Sequence, residues 1–194
     1  MKTITKTYEI YRYHELSEKA SDRARQWYIE HTPESYFYTE CCNEQLFYLF
    51  PESEVKVSYS LCYCQGDYFS IYGTLYLTDV LEQIQDKFTA TELKFLNWIF
   101  GEFNPYYKLD EKEINYRHIY FTAELIDETE YLNYRNIKTE MLEKFDSIAL
   151  DYLQGICEGY ADDGYRYFYE PEEDEMSDFF EINDYWFTNE GEVF

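Results

Sequence analysis

Residues 54–77 read EVKVSYSLCYCQGDYFSIYGTLYL, and this stretch decides the fold. Apolar and polar side chains alternate from Val55 to Tyr63, and the run from Tyr68 to Leu77 is again rich in aromatic and β-branched residues. Two such runs around the polar tripeptide Gln65-Gly66-Asp67 are typical of a β-hairpin. We therefore predict two antiparallel strands joined by a turn at Gly66.

Helical patterns lie on both sides of this hairpin. Ser17 precedes a run in which Ala24 and Tyr28 share one face, and Thr89 with Glu92 has the spacing of a capping box. We predict helices over five ranges: 17–29, 32–50, 78–88, 89–103 and 137–155. Alternating or β-branched patterns predict two further strands, at 3–13 and 114–125.

The order of these elements sets the fold class. Because strands and helices mix without a regular βαβ rhythm, we expect an α+β fold in which a mixed or antiparallel sheet packs with several helices. Glycines at 155, 159 and 164 predict a looser backbone after the last helix, and a final glycine turn predicts a short strand or hairpin. We predict a single domain, with a core over residues 1–157 and an acidic aromatic segment over 158–194.

The acidic residues are concentrated near the end of the sequence. The chain has a net charge of −24, and its last 37 residues, Glu158 to Phe194, hold 13 acidic residues against one basic residue, Arg166. The same segment is rich in tyrosine and phenylalanine. Such an anionic surface repels nucleic acid and membranes, and it attracts the cationic groove of a protein that normally binds nucleic acid. We also expect added salt to raise stability by screening self-repulsion.

We therefore predict a partner-binding surface in which carboxylates replace phosphates and tyrosines add hydrogen bonds and arginine stacking. Its predicted residues are Asp162, Asp163, Tyr165, Tyr167, Tyr169, Glu170, Glu172, Glu173, Asp174, Glu175, Asp178, Glu181 and Asp184. Gln65 and Asp67 form a second candidate at the hairpin turn, although a polar turn needs such residues for geometry alone. A solubilising, partly disordered tail is the alternative interpretation of residues 158–194.

Residue types that support catalysis are scarce. The sequence has three histidines, His14, His31 and His118, and it contains neither a Gly-x-Ser-x-Gly elbow nor a phosphate-binding glycine loop. Carboxylates are too numerous for any pair to be singled out as an acid and a base. We expect a non-enzymatic protein with no catalytic residues and no cofactor.

The five cysteines raise the question of a metal site. Cys41-Cys42 and Cys62-x-Cys64 together could supply four thiolates, but neither pair has the Cys-x2-Cys spacing that is usual for zinc. We therefore expect no metal, and buried, reduced cysteines that act as small hydrophobic residues. The odd number of cysteines, the lack of an apolar leader in residues 1–15 and the lack of a membrane-spanning apolar run favour a location in the cytosol.

Three stretches carry a resemblance to known proteins. HELSEKA at 14–20, ARQWY at 24–28 and SLCYCQGD at 60–67 resemble a broad group of small phage and mobile-element proteins of Gram-positive bacteria. In that group an L-S-x-x-A helix start precedes a Y-S-Q-G-D-G strand and turn. Here Cys64 stands where the serine usually lies, and Tyr68 stands where the last glycine lies.

In size and acidity the chain also resembles phage anti-CRISPR proteins that inhibit type II-A Cas9. This resemblance implies an acidic DNA mimic that binds a guide-loaded Cas9-type nuclease and blocks PAM recognition, without binding nucleic acid or membranes directly. Two other functions stay open from the residues alone. One is an antirestriction-type DNA mimic, which has the same surface and a different partner, and the other is a phage regulatory module that binds a protein through its neutral N-terminal half.

Overall fold

The computed structural model describes residues 7–32, 35–109, 123–125 and 139–194. Within these ranges the protein has six α-helices and a four-stranded antiparallel sheet, and the predicted α+β class is confirmed. The helices are α1 (Glu18–His31), α2 (Ser35–Leu49), α3 (Leu77–Ile84), α4 (Ala90–Phe103), α5 (Thr139–Tyr169) and α6 (Glu173–Ile182). The strands are β1 (Glu54–Ser60), β2 (Tyr68–Tyr76), β3 (Tyr106–Leu109) and β4 (Ala123–Leu125).

The predicted hairpin forms the centre of the sheet. β1 and β2 pair antiparallel, with Val57 opposite Ile71, and the ring of Tyr59 stacks on that of Phe69 with centroids 5.5 Å apart. The sheet order is β1-β2-β3-β4, so each described strand pairs with its neighbour along the chain. The predicted turn at Gly66 is confirmed, since the backbone N–H of Asp67 donates to the carbonyl oxygen of Cys64 at 3.3 Å, across Gln65 and Gly66. The whole connection between β1 and β2 is seven residues long, 61–67, and its left-handed residue is Tyr63, with φ of 54°.

The helices predicted around the hairpin are confirmed with small changes at their ends. Thr89 and Glu92 form the expected capping box of α4, with the Thr89 backbone N–H donating to Glu92 Oε2 at 2.7 Å. α4 then ends at Asn104, which adopts the left-handed conformation that commonly closes a helix. Ser17 is the N-cap residue of α1, but its side chain makes no capping hydrogen bond.

Two predictions about the backbone are wrong in the part of the chain that the structure describes. The strand predicted at 3–13 is reduced, within residues 7–13, to a single bridge between Tyr11 and Phe187, and a 3₁₀ turn begins at Tyr13. The helix predicted to end near 155 continues as α5 to Tyr169, through all three glycines. Its buried face explains this length, because apolar residues continue at helical spacing past the glycines. The free energy gained by burying them exceeds the helix stability of about 1 kcal/mol that each glycine costs. These buried residues are Phe145, Ala149, Leu153, Cys157, Tyr160 and Ala161.

The chain forms two compact units. The sheet unit comprises Ser35–Gly164, and the helical unit combines the described residues up to 32 with Tyr165–Phe194. Of the predicted strand at 114–125, residues 123–125 are described, as β4. The predicted division of one domain at residue 157 stays a prediction.

The helical unit has an aromatic core. Tyr13, Tyr28, Phe180 and Phe187 are buried together with Ala24 and Met176. The ring of Phe180 lies in the middle of this cluster, with its centroid 4.9 Å from that of Phe187 and 5.1 Å from that of Tyr13. The segment 165–194 is therefore folded, and the interpretation of it as a disordered tail is not supported.

The C-terminal residues return on themselves as predicted. Phe187 pairs with Val193 across a turn that contains Gly191 at φ of 81°. A Cβ atom added to Gly191 would lie 2.0 Å from the carbonyl oxygen of Ala20, so no larger residue fits without displacing α1. No helix in the described ranges is long and apolar enough to cross a membrane.

Candidate functional site

Helix α6 carries a row of exposed carboxylates on one side. Met176 and Phe180 point into the core of the helical unit, whereas Asp174, Asp178 and Glu181 are exposed and follow the i, i+4, i+7 spacing of the opposite face. We call these three residues the acidic stripe. Within the described part of the chain, no ion pair to a basic side chain engages any of them.

The position of the acidic stripe along α6 is informative. Acidic residues in the first turn of a helix are stabilised by the positive end of its dipole, which accounts for Glu173 and Asp174 locally. Asp178 and Glu181 lie in the second half of α6, where negative charge is unfavourable. Helix stability therefore does not explain the full stripe.

Two other carboxylates of α6 turn towards buried tyrosines. The Tyr28 hydroxyl donates to Glu175 Oε1 at 3.4 Å, and burial, followed by the charge of Glu175, raises the pKa of Tyr28 to about 12. Burial and a hydrogen bond to Glu173 likewise raise the pKa of Tyr13. Both phenols stay protonated at neutral pH and act as donors, so Glu173 and Glu175 contribute to the packing of α6 as well as to its charge.

Three arginines of the helical unit are engaged inside the unit. Arg12 Nη2 forms an ion pair with Asp184 Oδ1 at 2.7 Å, and its guanidinium lies 3.7 Å from the centre of the Trp186 ring. Arg23 forms an ion pair with Glu192 at 2.5 Å, and Arg25 Nη2 donates to the carbonyl oxygen of Pro171 at 3.1 Å. The predicted site residue Asp184 thus belongs to an internal ion pair, and it is less available to a partner than the acidic stripe.

The remaining predicted residues of the C-terminal segment divide between the two units. Glu170 and Glu172 are exposed on either side of the buried Pro171, in the link between α5 and α6. Tyr165, Tyr167 and Tyr169 are half-buried in the last turns of α5, which belong to the helical unit. Asp162 and Asp163 are exposed on the part of α5 that belongs to the sheet unit.

The hairpin loop 61–67 has a different role for each of its predicted residues. Gln65 is exposed, whereas Asp67 is 5 % exposed and its carboxylate is turned inward. Asp67 Oδ1 accepts from the backbone N–H of Cys62 at 3.1 Å, and Oδ2 accepts from that of Cys64 at 3.1 Å. Asp67 therefore holds the loop in shape, and its carboxylate is not part of an exposed anionic surface.

The same loop brings two thiols to Asp67. Cys62 Sγ and Cys64 Sγ are 3.8 Å apart, and the Cys64 thiol donates to Asp67 Oδ1 at 3.1 Å. This hydrogen bond raises the pKa of Cys64. The left-handed backbone of Tyr63 turns the chain between the two cysteines and allows their side chains to meet. Sequence reasoning considered both cysteines but missed Asp67 as their third neighbour.

The other cysteines fit the interpretation as small hydrophobic residues. Cys42 and Cys157 are buried, and burial raises their pKa values to about 11 and about 12. Among the described residues, Cys41 and Cys42 do not join the cluster formed by the hairpin loop, so the four-thiolate site considered from the sequence is not assembled there. Cys41 is half-buried on α2.

No protein-family model, curated protein or solved structure matches this chain. The acidic stripe and the thiol-lined hairpin loop are the two arrangements that ordinary packing of these units does not explain. His118, the histidine of the predicted strand at 114–125, lies outside the described residues.

Proposed function

We propose that the protein is an acidic DNA mimic whose helical unit binds a cationic nucleic-acid-binding protein through the acidic stripe. The observation that carries this proposal is the row of exposed carboxylates at Asp174, Asp178 and Glu181, on the side of α6 opposite its buried residues. No basic side chain of the described residues forms an ion pair with them. A carboxylate pairs with arginine much as a phosphate does, by accepting two parallel hydrogen bonds from the guanidinium.

The charge density of α6 supports this proposal. Six acidic residues lie between Glu172 and Glu181, a stretch of ten residues. At 1.5 Å per residue this stretch is about 15 Å long, which gives one charge per about 2.5 Å. Duplex DNA carries one charge per about 1.7 Å of axis. A groove built to hold DNA phosphates would therefore meet a comparable, somewhat lower, density of negative charge.

The charge balance of the helical unit supports it as well. Residues 165–194 contain ten acidic residues and one basic residue, Arg166. The ion pairs of Arg12 and Arg23 involve Asp184, Glu190 and Glu192, which lie outside α6. Within the described ranges, internal pairing thus leaves the charges of the stripe uncompensated, and electrostatic attraction would speed the encounter with a positively charged groove.

We further propose a guide-loaded Cas9-type nuclease as the partner, in keeping with the resemblance to anti-CRISPR proteins. Such nucleases read the PAM through arginine side chains before the guide pairs with its target. Carboxylates that occupy this cleft would compete with target DNA at that first step. The protein would act by occupancy alone, without catalysis and without a cofactor.

The test combines order of addition with a variant of the acidic stripe. Purified type II-A Cas9 with guide RNA is mixed with the protein before or after target DNA, and cleavage is measured over a salt series. We expect inhibition when the protein is added first, protection when DNA is bound first, and steep loss of binding as salt rises. The triple variant Asp174→Asn, Asp178→Asn, Glu181→Gln should bind at least tenfold more weakly.

A matched control removes the same number of charges from the sheet unit. The variant Glu143→Gln, Asp151→Asn, Glu158→Gln changes three exposed carboxylates of α5 and should inhibit like the unchanged protein. Equal loss in both triple variants would show that net charge matters and the acidic stripe does not. Absence of binding to the nuclease would reject this partner, and capture of a restriction enzyme instead would favour the antirestriction alternative.

A further inference from the structure

The hairpin loop gathers three side chains that are typical ligands of a soft or borderline metal ion. One ligand atom from each of Cys62, Cys64 and Asp67 lies within 4.8 Å of the other two. Both cysteines are exposed at the rim of the loop, whereas Asp67 forms its buried floor. The loop therefore brings two exposed thiols and one buried carboxylate together.

The distance between the sulfur atoms matches that of a tetrahedral zinc site. With Zn–S bonds of about 2.3 Å and a tetrahedral angle, two thiolates bound to one ion lie about 3.8 Å apart. The separation of Cys62 Sγ and Cys64 Sγ is 3.8 Å. A disulfide bond would need the two atoms at about 2.05 Å, so the two thiols are in contact but not bonded to each other.

The carboxylate of Asp67 is held in place for a ligand role. The backbone N–H groups of Cys62 and Cys64 each donate to one of its oxygens, as outer hydrogen bonds commonly do for metal-bound carboxylates. The second acceptor position on Oδ1 takes the proton of the Cys64 thiol. Binding of a cation by Oδ1 would replace this hydrogen bond, because the thiol loses its proton when its sulfur binds the same ion.

The sulfur atom of Cys64 has similar support. The backbone N–H of Gly66 points at Cys64 Sγ, with a distance of 3.4 Å between the two atoms. Such an N–H group stabilises negative charge on sulfur and therefore favours the thiolate that a metal ion requires. Gly66 contributes this contact from within the loop, without a left-handed backbone.

We propose that the hairpin loop 61–67 binds Zn²⁺ through Cys62 Sγ, Cys64 Sγ and an oxygen of Asp67, with the fourth coordination position open to solvent. Each thiol releases its proton to water as its Zn–S bond forms, so binding of one ion frees two protons and changes no oxidation state. Three protein ligands with one open position would accept water or a donor atom from another molecule. This inference is independent of the function proposed for the acidic stripe.

The experiment uses the full chain, reduced and freed of metal, with Co²⁺ as a spectroscopic probe. We expect one Co²⁺ per chain, an intense sulfur-to-cobalt charge-transfer absorption, and displacement of Co²⁺ by one equivalent of Zn²⁺. A large excess of Mg²⁺ should leave this absorption unchanged, because Mg²⁺ prefers oxygen ligands. Variants Cys62→Ala and Cys64→Ala should each bind at least tenfold more weakly, and Asp67→Asn should weaken binding similarly.

A matched control separates this site from the rest of the molecule. Cys41→Ala removes a thiol from α2, outside the cluster, and should bind metal like the unchanged protein. Binding that Mg²⁺ displaces, or that persists in Cys62→Ala and Cys64→Ala, would overturn the proposal and assign the ion to surface carboxylates. Full binding by Asp67→Asn would overturn the three-ligand site. Failure of reduced protein to bind Zn²⁺ at micromolar concentration would overturn it entirely.

Discussion

In the sheet unit each strand that the structure describes pairs with its neighbour along the chain, whereas the helical unit joins residues from opposite ends of the sequence. β1 pairs with β2 and β2 with β3. In the helical unit Arg12 binds Asp184, 172 positions away, and the Tyr28 hydroxyl binds Glu175, 147 positions away. The difference teaches that strand pairing in the first unit follows local patterns, while the assembly of the second depends on contacts that no short window of sequence contains. The first unit adds such contacts where α5 packs, as between the Tyr38 hydroxyl and the carbonyl oxygen of Tyr160.

The largest expected effect comes from the aromatic core that joins the two ends of the chain. Phe180→Ala removes the ring in contact with Tyr13, Tyr28 and Phe187, and we expect a loss of about 3–5 kcal/mol from the stability of the helical unit. Hydrogen exchange of α1 amides measures this loss. Ile182→Ala, at an 82 % exposed position of the same helix, should have little effect. Unchanged protection of the α1 amides from hydrogen exchange in Phe180→Ala would show that the contacts between the two ends of the chain do not hold the helical unit together.

A second test uses two glycines of α5 whose substitution should have opposite signs. A Cβ atom on Gly164 would lie 2.4 Å from Leu61 Cδ1 and 3.1 Å from the Tyr38 hydroxyl, so Gly164→Ala should destabilise the sheet unit by about 1–3 kcal/mol. Nothing lies within 4 Å of a Cβ atom on Gly159, and Gly159→Ala should stabilise the helix by about 0.5–1 kcal/mol. Denaturant titration measures both, and equal signs would contradict this packing.

The ion pairs of the helical unit should contribute differently to its stability, according to how deeply each is buried. Arg12→Ala removes a stacked, partly buried guanidinium that also donates to the carbonyl oxygen of Tyr185 at 3.3 Å, at an expected cost of about 1–2 kcal/mol. Arg23→Ala removes an exposed pair and should cost less than about 1 kcal/mol. Thermal unfolding compares the two variants. A larger loss in Arg23→Ala would contradict this ranking. It would mean that the exposed ion pairs of Arg23 with Glu190 and Glu192, on either side of Gly191, stabilise the unit more than Arg12 does.

The smallest expected effect concerns pH and the sheet unit. A hydrogen bond from Lys144, followed by those from Thr89, lowers the pKa of Glu92 to about 2, from an ordinary value of 4.5. Because the folded pKa is the lower one, this stabilisation is fully present above about pH 4.5 and is lost as pH falls towards 2. The melting temperature of Glu92→Gln should approach that of the unchanged protein over this interval. A constant difference between the two would contradict the assignment.

The parts of the fold that the sequence predicted are those whose signals are local. The hairpin and the capping box of α4 each depend on residues within a few positions of one another. The opening strand was wrong because, within the described residues 7–13, Tyr11 alone finds a backbone partner, in Phe187. The end of α5 was wrong because the glycines are a weaker signal than the apolar face that continues past them.

The candidate sites follow the same division. The acidic composition pointed to residues 158–194, but the pairing of Asp184 with Arg12 depends on a contact that spans the sequence. The cluster of Cys62, Cys64 and Asp67 is local, yet its geometry depends on the left-handed backbone of Tyr63, a conformation that tyrosine rarely adopts. A glycine or asparagine at position 63 would have indicated a left-handed residue at this point of the loop, whereas a tyrosine does not.

The joining of α1 to α6 also has a consequence during protein synthesis. The apolar face of α1 emerges from the ribosome long before α6, which ends at Ile182, has been made. At about 5–20 residues per second, the nascent helix waits on the order of ten seconds for the segment that covers it. During that interval Ala24 and Tyr28 are exposed to chaperones, while the hairpin of the sheet unit already has both of its strands.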